Sequence, residues 1–101
     1  MCLVQLMNVR YYIDKETGLP HIYKHDVREE EVEDVLQKSV EDRPGKENSR
    51  IAIGQTRGGR YLRVIYVPDP EPDSVFVITA YELSGKPLKA YRRRGRRRQR
   101  Q

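Results

Sequence analysis

Apolar residues along the chain follow two rhythms, and four polar breaks separate them. Val32, Val35, Leu36 and Val40 recur at the 3, 4 and 8 spacing of one helical face, which predicts an amphipathic helix. Asp26 with Glu29 three positions on offers a capping box, and Glu29, Glu30 and Glu31 suit the positive end of the helix dipole. Elsewhere the pattern is that of strands. Val9 to Asp14 forms a short one, and Arg50 to Thr56 places Ile51 and Ile53 on one face. Tyr61 to Val67 is apolar on both faces except at Arg63, and Ser74 to Tyr81 is a β-branched run too short for a helix.

The breaks define the connections. Lys15 to Pro20 reads as a turn, and Glu41 to Asn48, with its Pro44-Gly45 pair, as a loop. Gly58-Gly59 suits a primed hairpin turn with positive φ at both central positions. Pro68, Pro70 and Pro72 cannot donate ladder hydrogen bonds and make a stiff connection. Strands joined this way form an antiparallel meander. The expected class is therefore α+β: a small antiparallel sheet of three to four strands packed against one or two helices. Ser84-Gly85-Lys86-Pro87 closes the sheet, so residues 1–91 are expected to form one domain and residues 92–101 a flexible basic tail.

Charge changes this picture at one end only. The chain of 101 residues carries +5, yet residues 92–101 hold seven arginines and no acid, which leaves −2 on residues 1–91. Apolar residues make up 37% and charged residues 35%, so the core must be small. No apolar run approaches the roughly 20 residues that span a bilayer, and no membrane partner is expected. Asn8 and Arg10 interrupt the short apolar stretch Met1–Val9 and no cleavage pattern follows, so a signal peptide is not expected. The single cysteine, Cys2, excludes an internal disulfide framework and a Cys-rich zinc site, and fits a reducing, cytoplasmic setting.

Candidate chemistry centres on His25, in Tyr23-Lys24-His25-Asp26 just ahead of the helix. An imidazole there can exchange a proton with a ribose hydroxyl or a leaving oxygen, or it can instead bond Asp26 or a carbonyl to fix the helix start. His21 and His25 stand four apart, but Pro20 precedes them and no third ligand sits at a recognisable spacing. No metal and no cofactor is expected. Arg43, Lys46, Arg50, Arg57, Arg60 and Arg63 crowd a stretch whose only acid is Glu47, and guanidinium forks suit phosphate. A hairpin would bring Arg50 and Arg60 near each other. Tyr61, Tyr66 and Tyr81 on strands suit stacking on unpaired bases, which favours single-stranded RNA over duplex DNA. Arg92, Arg93, Arg94, Arg96, Arg97 and Arg98 would add salt-dependent affinity for nucleic acid.

These segments, taken in order, resemble the BrnT-like toxins of the RelE superfamily and a closely related uncharacterised bacterial family. The resemblance runs through Tyr12-Ile13-Asp14, Lys24-His25-Asp26-Val27, the Glu-rich helix and Arg50 to Thr56, then Gly59 to Tyr66 and Val77 to Tyr81. It implies a curved antiparallel sheet and a metal-independent endoribonuclease that stops translation, neutralised by an antitoxin protein from an adjacent gene. Carried onto this chain, His25 would be general acid or base, and Lys24 and Arg60 would stabilise phosphate charge. Arg50 would position the phosphate, with Arg63, Tyr66 and Tyr81 holding the RNA. The rival expectations are a non-catalytic nucleic-acid-binding or protein-interaction module on the same scaffold, and a homodimer pairing exposed sheet edges.

Overall fold

The computed structural model describes residues 8–71 and 73–100, the side chains of 96–100 excepted. It is an α+β fold, as the apolar rhythms require. Five strands, β1 (Asn8–Tyr11), β2 (Glu41–Pro44), β3 (Arg50–Gln55), β4 (Tyr61–Pro68) and β5 (Ser74–Glu82), form one sheet in the order β1-β5-β4-β3-β2. Strands β3 to β5 are the expected antiparallel meander, and β2 extends it beyond β3. At its edge β1 pairs with β5 in parallel, which adjacency in sequence could not announce. Helix α1 (Glu29–Lys38) packs on one face and helix α2 (Gly85–Arg100) lies on the other.

Alternation along β4 explains the layering. Leu62, Val64 and Tyr66 are buried on the α1 side, whereas Tyr61, Arg63 and Ile65 point to the opposite face. Val32 and Val35 of α1 are fully buried against them, each worth about 2 kcal/mol of transfer free energy. Ala52 and Gly54 of β3 face the same helix, and small residues are needed there. A β-carbon on Gly54 would lie 3.2 Å from the Ser39 Cα and 3.5 Å from the Val35 side chain, so glycine is what lets the end of α1 approach the sheet. On the second face Ile53, Leu83 and Tyr91 form a smaller cluster, with Ile51, Tyr61 and Leu88 against it.

Five local expectations need correction. The polar stretch from Glu41 is a strand and not a loop as far as Pro44. It is an edge strand, where charged side chains meet solvent and a proline need not donate to a neighbour. The turn that follows is closed by the Gly45 N–H on the Ser49 carbonyl, 2.8 Å away, with Glu47 and Asn48 at positive φ. Helix α1 begins after Arg28, whose N–H donates to Glu31 Oε1 at 3.0 Å, two residues later than the Asp26/Glu29 box. Asp26 is left-handed (φ 58°) and ends a 3-10 turn, His21–His25, that the helical spacing had not revealed. Val40 lies beyond the helix and is 55% exposed.

The hairpin turn also differs. Only Gly59 has positive φ (95°), with its N–H on the Thr56 carbonyl and the Thr56 N–H on the Arg60 carbonyl. This is a three-residue loop with glycine at the left-handed position rather than a two-residue primed turn. Finally, the basic segment expected as a flexible tail continues α2 through Arg100, across Gly95. Pro87 is tolerated because it lies in the first turn, whose N–H groups have no intrahelical partner. Arg94 reaches Glu41 of β2 with its Nη2 at 2.9 Å, and the Arg92 guanidinium sits 5.1 Å from the Tyr61 ring centroid. Those two contacts anchor the start of the arginine run to the sheet.

Candidate active site

The 3-10 turn occupies the edge of the sheet where β1 stops. The Tyr12 N–H still bonds the Val77 carbonyl at 2.9 Å, and the chain then turns through Gly18 and Pro20 into His21–His25. Ile22 and Val27 are driven into the main core and leave the alternate side chains outside. His21 and His25 are thereby held beside β5, on the sheet face opposite α1.

There His25 meets Tyr81, and Tyr81 in turn meets Arg63. The His25 and Tyr81 ring centroids are 5.9 Å apart, inclined at 62°. The Arg63 guanidinium carbon lies 6.0 Å from the Tyr81 ring, and its Nη1 donates to the Tyr81 hydroxyl at 3.5 Å. Arg63 and Tyr81 are direct cross-strand partners in the β4–β5 register. Next to them the register shifts at Ile65/Tyr66, so that Ile78 is the extra residue of a β-bulge. Among the described residues, the buried Arg63 Nε and Thr79 Oγ1 have no hydrogen-bond partner; Thr79 pairs with Ile65, two residues before Tyr81 on β5. The guanidinium, set on the same phenol that the imidazole meets, offers positive charge to an anionic oxygen at this face.

On its other side His25 contacts His21, with ring centroids 5.3 Å apart, and His21 contacts Tyr12 at 6.1 Å. His21 Nδ1 lies 3.3 Å from Asp14 Oδ2. Asp14 also takes Lys24 Nζ at 2.9 Å and the Glu16 N–H at 2.9 Å. Those hydrogen bonds, that of Lys24 first, pull the Asp14 carboxyl down to about 2.

Three of the expected cations are elsewhere. Lys24 turns away from His25 to Asp14 and to Glu16 Oε1 at 3.2 Å, and Asp14 holds its ammonium above the usual lysine range. Arg60 clasps both Glu31 oxygens at 3.0 Å, Glu82 at 3.3 Å and the Asp26 carbonyl at 2.9 Å, joining α1, β5 and the 3-10 turn. Arg50 pairs with Asp42 at 2.6 Å on the α1 face. Tyr66 joins that same pair through its hydroxyl on Asp42 Oδ2, and burial with this bond pushes its phenol up to about 12. Arg50 and Arg60 do not meet, because in an antiparallel pair the starts of successive strands lie at opposite ends: Arg50 faces Tyr66 and Arg60 lies at the turn. The arginines Arg92, Arg93 and Arg94 lie on α2, while the side chains of Arg96, Arg97 and Arg98 fall outside the described residues.

Of the residues singled out from sequence, the fold therefore gathers His25, Arg63 and Tyr81. Sequence reasoning weighed His21 only as a metal ligand and passed over Asp14 and Thr79. The available signal for His21 was its four-residue spacing from His25. Among the described residues no group of three or more His, Cys, Asp or Glu side chains is placed to hold a metal ion, and no helix is long and apolar enough to cross a membrane. A depression beside the turn is lined by Tyr23, Asp26, Val27 and Arg28.

Fold and site define an α+β domain whose sheet carries a His–Tyr–Arg cluster on the face opposite its main core. Residues 21–82 match the family described as a domain of unknown function (DUF4258), and the chain belongs to that family. The match runs from the first histidine of the 3-10 turn to the end of β5, so it contains His21, His25, Arg63 and Tyr81 but neither β1 nor α2. No curated protein and no solved structure matches the chain.

Proposed function

We propose that this protein is a metal-independent endoribonuclease of the toxin type, acting on single-stranded or ribosome-bound mRNA in the cytoplasm and neutralised by an antitoxin protein. The observation that carries this reading is the contact of His25 with the Tyr81 ring, which Arg63 also meets, on the sheet face opposite α1. Its resemblance to BrnT-like and RelE-superfamily toxins supports it. In the reaction the ribose 2′-oxygen attacks phosphorus, the O2′–P bond forms and the P–O5′ bond breaks, leaving a 2′,3′-cyclic phosphate and a 5′-hydroxyl. His25 takes the 2′-hydroxyl proton. Arg63, through the positive charge of its guanidinium, stabilises charge on the non-bridging oxygens. Tyr81 orients both side chains and offers its ring to a base. Lys24, Arg60 and Arg50 act as structural ion pairs in this scheme, which replaces the roles that resemblance assigned to them. The arginines of α2 draw in the RNA backbone.

The pairing of Lys24, Arg50 and Arg60 with carboxylates also favours a second reading, a nucleic-acid-binding module without chemistry, since it leaves Arg63 as the cation at the cluster. Incubation with labelled single-stranded RNA, in EDTA for the RNA alone and in magnesium buffer when ribosomes are added, separates the two. Cyclic phosphate ends that fall by about 10²- to 10⁴-fold in His25→Ala establish the nuclease. Binding without cleavage in both conditions would leave the module.

A further inference from the structure

His25 alone can handle one of the two protons that the reaction moves. The departing 5′-oxygen needs another, and general-acid help at such a leaving group is worth about 10²- to 10⁴-fold. The second histidine of the turn is placed for that task. His21 and His25 lie with ring centroids 5.3 Å apart and rings inclined at 72°, close enough to reach two oxygens bonded to one phosphorus. His21 is also built in. Its side chain is 30% exposed, and Asp14, whose side chain is 10% exposed, holds its Nδ1. An ionised carboxylate only accepts hydrogen bonds, so Nδ1 is the donor and Nε2 is the nitrogen left for substrate. Asp14 stays ionised because Lys24 and the Glu16 N–H hold it, and it supplies the counter-charge to an imidazolium. His25 has different neighbours, with Tyr81 and beyond it the Arg63 cation. The groups around His21 are thus Asp14, Lys24 through Asp14, Tyr12 and His25.

We infer that His21 is the second proton-transfer residue of this site: its imidazolium protonates the leaving 5′-oxygen as His25 takes the 2′-hydroxyl proton. The inference rests on the nuclease reading. One proton enters His25, one leaves His21, and the O2′–P bond replaces the P–O5′ bond, so the step balances without a further reactant. Asp14 is a positioning residue, and Lys24 sustains its charge from 2.9 Å.

A leaving-group test distinguishes this role from a structural one. After the cleaved linkage of a short oligoribonucleotide has been mapped, the same oligonucleotide is made with sulfur in place of the bridging 5′-oxygen. A thiolate departs without protonation. His21→Asn, which keeps a polar atom near Asp14, should cut the all-oxygen RNA about 100-fold more slowly than the parent protein and the sulfur-bridged RNA at close to the parent rate. His25→Asn should be slow on both. Wild-type protein gives a measurement that no folding defect can confuse. Its rate on the all-oxygen RNA should fall at high pH as the acid loses its proton, and on the sulfur-bridged RNA that alkaline limb should vanish. Equal slowing of both substrates in His21→Asn, or an alkaline limb kept with sulfur, overturns the role of His21 and leaves the nuclease intact. Cleavage of neither substrate by the wild-type protein, with ribosomes present, overturns both.

Discussion

The two faces of the sheet are built on opposite terms. Against α1, eleven buried apolar residues form a continuous core, from Ile22 of the 3-10 turn to Ala80 of β5. On the other face three buried residues, Ile53, Leu83 and Tyr91, form a cluster beside α2, and the β4–β5 side carries His25, Tyr81 and Arg63. The same strands supply both surfaces, since alternate residues point opposite ways. A strong core on one side lets the other hold an arginine nitrogen and a threonine hydroxyl without partners, each a liability that packing must offset. Arg50, Arg60 and Arg63 divide in the same way. Arg60 and Arg50 are consumed in joining elements around the α1 side, whereas Arg63 meets an aromatic ring.

The sharpest way to break this contrast is to exchange the roles of two arginines. Arg63→Gln should reduce RNA cleavage by about 10²- to 10³-fold with little change in melting temperature. Arg60→Gln should do the reverse, lowering stability by about 1 kcal/mol while cleavage stays within a few-fold, because Glu31 and Glu82 lose their shared cation. Equal losses of cleavage in the two variants would return Arg60 to the site. The core comparison is next in size. Leu62→Ala, on the α1 face and fully buried, should cost about 3 kcal/mol in urea unfolding, against about 1 kcal/mol for the partly buried Leu88→Ala of α2. Similar costs would mean that α2 contributes a second full core.

A smaller effect concerns pH. The Asp14 and Asp69 carboxyls are held below their ordinary value, Asp14 by Lys24 and Asp69 by Arg10 first of all. Groups with depressed native pKa values contribute stability above the unfolded value near 3.8 and lose it as pH falls through the folded value, which for Asp14 is about 2. Urea midpoints should therefore decline between about pH 4 and pH 2, and less steeply in Asp14→Asn. The smallest effect lies on α2. Replacing the exposed Arg93 by alanine should lower the slope of log affinity against log salt for single-stranded RNA by about 0.7, and replacing Arg94, already paired with Glu41, by less.

Much of the architecture is local and was therefore readable from the chain. Val32 and Val35 at helical spacing, the apolar run Tyr61 to Val67, and the Gly58-Gly59 pair marked the helix, a strand and the hairpin, because each depends on near neighbours. His25 at the end of an anchored segment was legible for the same reason. Polar strands were not. Glu41 to Pro44 becomes a strand only because β3 offers it an edge, and β1 finds β5 across more than sixty residues of chain. The cations divided by the same logic. Which of Lys24, Arg50, Arg60 and Arg63 is free to meet a ligand depends on where Asp14, Asp42, Glu31 and Glu82 arrive, and an ion pair leaves no trace in residue order when its partners lie far apart. Sequence determined the elements and the charge inventory. The tertiary structure decided which charges cancel and which imidazoles share a site, since both depend on distances that only packing sets.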